Sequence, residues 1–322
     1  MKEKIFICKE ENVRLDHFLV REINSSRNQI IELIKSKNVS INNEVVTKAG
    51  YKLSLDDILC VKLNTNKKNY HEAFKVDFDV PIIHEDDDIL IINKPPFLTV
   101  HPAPSVKEPT LVDWLKSKNI SLSTLSGEER HGIVHRIDKE TSGALVIAKN
   151  NSSHAFLSSQ LEDKTMGRYY LALIDKELKN DIIVEKRVAR NPKNKTKMAI
   201  VENGKIAKSA FFSLLKNGQM ELILAKLYTG RTHQIRVHLN SIGRHILGDD
   251  LYGFKSQKDK IKRVMLHAYC LYFIHPASKQ NMTFVAPLYE DFEDILYKNF
   301  NKEDIDEILK VNNLFHRINT SF

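Results

Sequence analysis

The sequence contains few cysteines, few glycines and no long apolar run. Its three cysteines, Cys8, Cys60 and Cys270, are far apart and form no Cys-x-x-Cys pair. A disulfide framework or a cysteine-based zinc site is therefore not expected, and a reducing cytoplasm fits this composition. No apolar stretch approaches the roughly 20 residues of a membrane span, and the N-terminal apolar run is too short for a signal peptide. We therefore expect a cytoplasmic protein without a membrane segment.

Length and charge narrow the class of protein further. The chain has 322 residues, of which 42% are hydrophobic, so two domains with real cores are expected. Lysine and arginine number 49 against 41 acidic residues, which gives a net charge of +8. That excess favours a polyanionic partner, although many basic proteins bind nothing specific. The sequence has no glycine-rich phosphate loop and no ligand cluster with metal spacing, so we expect no cofactor and no metal.

The segment HGIVHRIDKETSGALVIAKN, residues 131–150, is the most informative stretch. The runs at 132–135 and 144–148 predict two short buried strands, and the polar residues between them predict a loop closed by Gly143. Asp138 lies on that loop, where a rigid scaffold presents polar side chains. Thr141 and Ser142 are expected to bond the loop's own backbone. From the residues alone, both a structural Asx turn and a catalytic carboxylate stay open.

The N-terminal residues predict a separate small module. Leu15, Phe18, Leu19 and Ile23 have helical spacing, and a second helix is predicted over 27–37 with Ser25 or Ser26 as its cap. Two short strands then flank an Asn42-Asn43 turn. The polar stretch 64–71 predicts a linker. We predict four regions: a module at 1–63, a linker at 64–79, a main domain at 80–300 and a helical tail at 301–322.

Further along the chain, strands and helices alternate. Strands are predicted at 82–83, 89–92, 168–174 and 221–226, a strand or helix at 234–239, and helices at 111–118, 153–161, 291–300 and 302–314. Asn151 or Ser152 is the predicted cap of the helix at 153–161, and His154 is predicted to lie on its surface. Asp86 to Asp88 predict a tight turn, because they lack the spacing of a calcium loop. The basic stretch 187–197 predicts a hairpin with exposed cations.

Several of these segments resemble the motifs of one enzyme family. HRIDKETSG resembles the HR-[LI]-D-x-x-T-[ST]-G signature of the RluA/RluD family of RNA pseudouridine synthases. The block TGRTHQIRVHL followed by GDDLYG resembles that family's G-R-x-H-Q-[IL]-R-x-H-L and G-D-x-x-Y-G motifs. IINKPPFLTVHP resembles a motif that is mainly structural in the family, with Phe97 where glycine is usual. Neither Lys94 nor His101 of that motif is therefore expected to be catalytic.

The resemblance assigns roles to individual residues. It implies that Asp138 is the catalytic carboxylate, paired with Arg231, and that Arg236 and His233 support them. Tyr170 matches the tyrosine of the family's [KR]-x-Tyr-x-Ala motif, whose ring lies against the target uracil and whose hydroxyl is a candidate base. Leu266 matches an apolar residue under the uracil. His267 and His275 are expected to be structural. Whether Asp138 attacks the anomeric carbon or removes a ribose proton stays open.

RNA contacts are expected from two other regions. Residues 13–61 resemble the small RNA-binding module first known from ribosomal protein S-four, with Asn38 and Asn43 at usual glycine positions. The stretch RVARNPKNKTKMAI resembles a family hairpin that clamps RNA. The residues that we expect to contact RNA are Arg14, Arg27, Lys35, Lys37, Arg136, Arg190, Lys193, Lys195 and Lys197.

The resemblance implies an α+β fold. It is a pseudouridine synthase fold with a mixed, mostly antiparallel sheet and flanking helices, preceded by a small N-terminal α/β RNA-binding module. It also implies an RNA pseudouridine synthase, most often for large-subunit ribosomal RNA, with tRNA as the alternative substrate and a monomer as the default state. Two other classes stay open. One is a ribosome-binding protein without activity, and the other is a metal-dependent nucleic-acid hydrolase that uses the aspartate run.

Overall fold

The computed structural model describes residues 2–23, 27–63, 74–103, 105–253 and 261–321. The chain divides into two compact units. One comprises Met1–Phe74 and Ser126–Glu128, and the other comprises Lys75–Leu125 and Glu129–Phe322. Residues 64–73 of the predicted linker and the predicted caps Ser25 and Ser26 lie outside the described residues. Within the described ranges, no helix is long and apolar enough to cross a membrane.

The first unit is a small α/β module. Leu15, Phe18 and Leu19 of its first helix share a core with Ile30 and Ile34 of its second, as their helical spacing predicted. Its elements are β1 (Lys2–Ile7), α1 (Leu15–Ile23), α2 (Arg27–Lys35), β2 (Val39–Ile41), β3 (Glu44–Val45) and β4 (Ile58–Leu63). The strands form one four-stranded antiparallel sheet in the order β1-β4-β2-β3.

Three details of this unit differ from or refine the prediction. Strand β1 was not predicted, and α2 ends at Lys35 rather than at residue 37, because Lys37 has a left-handed φ of 60°. The predicted turn between β2 and β3 is present, with φ of 48° at Asn42 and 70° at Asn43. Asparagine tolerates such angles, so the turn forms without glycine.

The second unit is built on a ten-stranded sheet in the order β10-β9-β11-β12-β8-β13-β7-β6-β5, with β14 paired to β13. Every pairing in it is antiparallel except β13 with β7. The mixed, mostly antiparallel sheet is therefore confirmed. Its strands are β5 (Ile82–Glu85), β6 (Ile89–Lys94), β7 (Ser142–Ala148), β8 (Gly167–Ile174), β9 (Ile182–Arg190), β10 (Met198–Ile200), β11 (Lys205–Lys216), β12 (Glu221–Leu227), β13 (Leu266–Ile274) and β14 (Asn281–Val285).

Helices flank this sheet. They are α3 (Leu111–Ser117), α4 (Asn151–Asp163), α5 (Gln234–Asn240), α6 (Glu290–Asn299), α7 (Lys302–Ile308) and α8 (Val311–Ser321), with a 3-10 turn at Glu128–Arg130. The C-terminal segment, predicted as a tail beyond the main domain, packs Ile305, Leu314 and Ile318 into the core of the second unit. Strands β6, β7 and β8 are buried along their whole length, which explains why their apolar runs do not alternate.

Several local predictions for the second unit were wrong. Residues 132–135 form only an isolated bridge, Ile133 to Ile147, instead of a strand. Helix α4 begins at Asn151 and is capped by Asn150, whose side chain accepts a bond from the backbone N–H of Ser153. His154 is 3% exposed and therefore not a surface residue. The predicted helix 302–314 is two helices, α7 and α8.

Candidate active site

Asp138 lies on the loop that enters β7, and the sequence of this loop explains its shape. The Asp138 carbonyl accepts a hydrogen bond from the Thr141 N–H at 3.2 Å. Gly143 has a φ of 115°, and a Cβ there would lie 2.3 Å from the Ala268 carbonyl oxygen. Only glycine allows β7 and β13 to approach this closely. The end of the loop is therefore fixed against β13.

Two buried side chains hold the same loop. Lys94 is fully buried, and its Nζ donates to the carbonyls of Pro95, Leu98 and Lys139 at 2.6, 2.8 and 3.1 Å. Burial lowers the pKa of Lys94 to about 7. The hydroxyl of Ser142 bonds His267 Nδ1 at 2.8 Å, so its partner is a neighbouring strand and not the loop's own backbone as predicted. His267 is structural in this arrangement, because its other nitrogen bonds the Ala286 carbonyl at 3.1 Å.

A cavity of about 90 Å³ opens beside Asp138. Six residues that the sequence placed at the site lie around it, although they come from different parts of the chain: Asp138, Tyr170, Arg231, His233, Arg236 and Leu266. Arg136, one of the predicted RNA contacts, also lines it. The cavity wall further includes residues that the predicted site did not contain: Ile137, Thr141, Arg168, Leu227, Gly230, Thr232, Gln234 and Ile235.

The predicted ion pair between Asp138 and Arg231 is wrong for this structure. Asp138 Oδ2 lies 3.5 Å from Nη1 of Arg236, which is buried in helix α5. Arg236 is held from its other side by Asp249, with Nε to Oδ2 at 2.7 Å and Nη2 to Oδ1 at 2.8 Å. Burial opposes the charge on Arg236, but the carboxylates around it raise its pKa, so it stays a cation. Asp249 was not predicted, although it stands in the GDDLYG motif.

Arg231 instead occupies the exposed turn before α5. Its Nε donates to the Ile206 carbonyl at 3.2 Å, and its backbone N–H donates to Gln234 Oε1 at 3.0 Å. Gln234 fixes the turn, because its oxygen also accepts from the Thr229 hydroxyl and its amide donates to the Lys208 carbonyl. Arg231 therefore faces the cavity with its guanidinium accessible to a ligand.

His233 approaches Asp138 from the start of α5. Its Nε2 lies 3.9 Å from Asp138 Oδ2, and its Nδ1 lies 2.9 Å from the Tyr252 hydroxyl. That hydroxyl accepts from the Met198 N–H at 2.7 Å and can donate its own proton to His233. The bonding pattern leaves the proton of a neutral His233 on Nε2, toward Asp138. Burial lowers the pKa of His233, while Asp138 raises it.

Tyr170 and Leu266 form an apolar part of the cavity on adjacent strands. The Tyr170 side chain comes from β8 and Leu266 begins β13. Burial raises the pKa of the Tyr170 phenol, the Arg168 cation lowers it and the Asp138 charge raises it. Tyr169 points to the other face of β8, where its ring packs with Tyr272 and Phe315. The two neighbouring tyrosines therefore have different environments.

The predicted RNA contacts divide between the two units. Arg14, Lys35 and Lys37 belong to the first unit, where Arg14 pairs with Asp16 at 2.9 Å; the Arg27 side chain lies outside the described residues. The others belong to the second unit, where β9 and β10 form the predicted hairpin. We call residues 187–200 the basic hairpin. Arg190, Lys193 and Lys195 are exposed on it, and Lys197 lies 5.8 Å from the centre of the Tyr252 ring.

Asp86, Asp88 and His275 form the group that could hold a metal ion in the described part of the chain. His275 Nδ1 accepts from the N–H groups of Ala277 and Ser278, so the proton is on Nε2, which lies 3.1 Å from Asp86 Oδ2. Asp86 Oδ1 accepts from the N–H groups of Asp88 and Ile89. These bonds build the predicted turn and occupy the atoms that a metal would need.

Comparisons with known proteins define the class. A family model described as RNA pseudouridylate synthase matches residues 88–241, and the S4 domain model matches residues 13–59. An uncharacterised RNA pseudouridine synthase of Helicobacter pylori is 48% identical over 98% of this chain and 98% of its own length. The protein is therefore an RNA-modifying isomerase that produces pseudouridine.

More distant matches agree with this class. The ribosomal large subunit pseudouridine synthase D of Nitrosomonas europaea is 36% identical over 88% of this chain and 83% of its own length. The structure of human RNA Pseudouridylate Synthase Domain Containing 1 covers 65% of this chain and 84% of its own, with a TM-score of 0.54 at 24% identity. It supports the fold. The chain belongs to the RluA family of RNA pseudouridine synthases, with an N-terminal RNA-binding S4 domain, and the predicted family is confirmed.

Proposed function

We propose that this enzyme isomerises specific uridines of large-subunit ribosomal RNA, with Asp138 as the catalytic carboxylate. The observation behind the assignment of Asp138 is its place in the cavity, 3.5 Å from the buried cation of Arg236 and beside the apolar side chains of Tyr170 and Leu266. The choice of RNA rests on relatives. Two of them, from Nitrosomonas europaea and Zymomonas mobilis, are large-subunit synthases at 36% and 37% identity.

Pseudouridine formation breaks the bond between ribose and uracil, turns the base and rejoins it through carbon. No atom enters or leaves, so the protein must supply a nucleophile or base and hold the detached uracil. A cation beside a carboxylate holds it in a fixed orientation through a charge-assisted contact. Arg236 supplies that cation and is itself fixed by Asp249. This arrangement serves either attack on the anomeric carbon or removal of a ribose proton.

Tyr170 is proposed to hold the base. A uridine must leave the RNA stack to enter the cavity, and an aromatic ring then offers a stacking surface. Because burial raises the phenol pKa, the free enzyme holds Tyr170 in its protonated form at neutral pH. In that form the hydroxyl is a hydrogen-bond donor and not a base. Stacking is therefore the primary role that we assign to Tyr170.

The test is pseudouridine mapping of ribosomal and transfer RNA from cells with and without this gene, rescued by wild type or by Asp138→Asn. We expect specific large-subunit sites to disappear and only the wild type to restore them. The asparagine variant keeps the shape of the side chain, so its RNA affinity should stay within about threefold of the wild type. Restoration by Asp138→Asn would reject the assigned residue, and loss of tRNA sites alone would reject the proposed RNA.

A further inference from the structure

Among the residues that the structure describes, the buried arginine Arg168 has no hydrogen-bond or ion-pair partner. It lies on β8, lines the active-site cavity and is 8% exposed. Its Nε is buried and has no hydrogen-bond partner, and no acidic residue in the described ranges lies within 4.0 Å of its guanidinium. The other two buried arginines of the described chain are both paired, Arg236 with Asp249 and Arg263 with Asp291.

The surroundings of Arg168 do not neutralise its charge. Burial lowers the pKa of nearby His135 to about 3, and the Arg168 cation adds to this effect, so His135 is neutral. Tyr170, two residues along the same strand face, is a protonated phenol because burial raises its pKa. Burying a cation without a partner carries a large desolvation penalty. Such a group in a folded protein calls for an explanation, and a ligand that supplies the missing acceptor is one.

Gly230 provides the space for this guanidinium. A Cβ at that position would lie 3.1 Å from Arg168 Nη1 and 3.4 Å from Nη2. Gly230 also lines the cavity, in the turn between β12 and α5. A side chain at this position would require the guanidinium to move by a few tenths of an ångström. The free donors of Arg168 are thus held beside the same cavity as Asp138, Tyr170 and Leu266.

We propose that Arg168 is a substrate-binding residue that donates hydrogen bonds to an oxygen of the target nucleotide in this cavity. The proposal rests on the proposed function, because that function places a nucleotide there. Two oxygens of a flipped uridine have the required chemistry: a carbonyl oxygen of uracil and an oxygen of a flanking phosphate. The shared face with Tyr170 favours the uracil oxygen.

The first test is stability, which separates a binding role from a structural one. We compare Arg168→Met with Arg263→Met, an arginine that is 1% exposed and bonded to Asp291 at 2.7 Å. Removing the unpaired cation should leave the thermal midpoint unchanged or raise it. Removing the paired one should lower it. If the thermal midpoint of Arg168→Met falls clearly below that of the wild type, Arg168 is a structural residue and the proposal is overturned.

The second test is activity on total large-subunit RNA extracted from cells that lack this gene. If Arg168 binds uracil, Arg168→Met should lower the single-turnover rate at saturating RNA by about a hundredfold, with affinity unchanged. If Arg168 binds phosphate, the affinity for RNA should fall and the single-turnover rate should be preserved. The slope of the logarithm of the binding constant against the logarithm of the salt concentration should then become shallower by about one. Arg168→Lys should recover part of either effect, and Gly230→Ala should weaken the same parameter.

Each result bears on a separate claim. Wild-type rate and wild-type affinity in Arg168→Met would overturn the role of Arg168. Absence of product with the wild-type enzyme would overturn the proposed RNA instead. In that case RNA affinity, its salt slope and the stability comparison still decide whether Arg168 contacts the RNA.

Discussion

Two arginines of one short segment, Arg231 and Arg236, have different surroundings. Arg236 is 6% exposed and lies between two carboxylates, whereas Arg231 is exposed and bonds a backbone carbonyl. A guanidinium held on both sides can keep a fixed distance to Asp138. The position in the fold, and not the motif alone, therefore shows which arginine lies beside the Asp138 carboxylate.

We predict that Arg236→Lys lowers the single-turnover rate by about a hundredfold, while Arg231→Lys changes it less than about tenfold. Lysine keeps the charge at both positions but cannot bond Asp249 with two nitrogens and still reach Asp138. Both variants should be checked for an unchanged thermal midpoint. A larger rate loss in Arg231→Lys than in Arg236→Lys would support Arg231 as the partner of Asp138, as the family motif implies.

Phe97 has a backbone conformation that suits glycine. Its φ is 65°, and its side chain is 49% exposed. The family motif that this segment resembles has glycine at this position, and here a residue with a Cβ adopts the left-handed conformation. The strain is local to the loop that follows β6.

We predict that Phe97→Gly is more stable to denaturant than Phe97→Ala by about 1 kcal/mol, because only glycine avoids the left-handed penalty. Comparing two small residues removes the effect of losing the ring. The matched control is Leu125, which is 56% exposed and lacks a positive φ. At Leu125 the alanine variant should be at least as stable as the glycine variant. If Phe97→Ala is also at least as stable as Phe97→Gly, the backbone at Phe97 is not strained.

At the scale of elements, the basic hairpin and helix α5 are joined through Tyr252. Its hydroxyl accepts the Met198 N–H of β10 and bonds His233 at the start of α5. Its ring also lies 5.1 Å from the Arg236 guanidinium. The exposed lysines at the tip of the hairpin, Lys193 and Lys195, are not part of this network. RNA contacts at the tip should therefore set affinity without changing the chemistry.

We predict that the double variant Lys193→Ala, Lys195→Ala weakens RNA binding and lowers the salt slope by about one for each phosphate that it no longer binds. The single-turnover rate at saturating RNA should stay within about threefold of the wild type, because the cavity is unchanged. The control replaces two exposed lysines elsewhere in the same unit, Lys176 and Lys179, with alanine. An equal fall in affinity in both variants would mean that only net charge matters.

At the scale of the whole molecule, the second unit buries several neutral histidines. Burial is the main cause that lowers their pKa, to about 4 for His101, about 3 for His135, about 4 for His238 and about 4 for His267. An unfolded histidine titrates near 6.5. At a pH between the folded and unfolded pKa values, the unfolded chain binds more protons than the folded chain. The contribution of these histidines to stability is therefore complete above about pH 6.5 and is lost as the pH falls toward 4.

We predict that the free energy of unfolding falls between pH 7 and pH 5 by about 2 kcal/mol for each of these histidines. Denaturant titrations at several pH values measure this slope. His238→Asn, which can keep a bond to Ser209, should have a shallower slope than the wild type. A flat stability between pH 7 and pH 5 would show that these side chains are not kept neutral by burial.

Much of the fold was predictable because it depends on local patterns. Helical spacing placed α1 and α2, alternation around Asn42 and Asn43 placed the first hairpin, and long apolar runs marked β6, β7 and β8. Errors occurred where tertiary contacts decide. Residues 132–135 have a strand's apolar pattern but form one bridge, and His154 is polar but buried under its helix.

The sequence by itself determined the family and the segments that supply the cavity, because both depend on motifs of contiguous residues. Only the tertiary structure decided which charges meet. Asp138 and Arg236 are 98 residues apart, and their contact follows from the packing of α5 against the sheet. Helix α6 likewise brings the Asp291 carboxylate to Arg263, whereas no carboxylate among the described residues lies within 4.0 Å of Arg168. Pairing of buried charges depends on distances between elements, and no spacing along the chain encodes those distances.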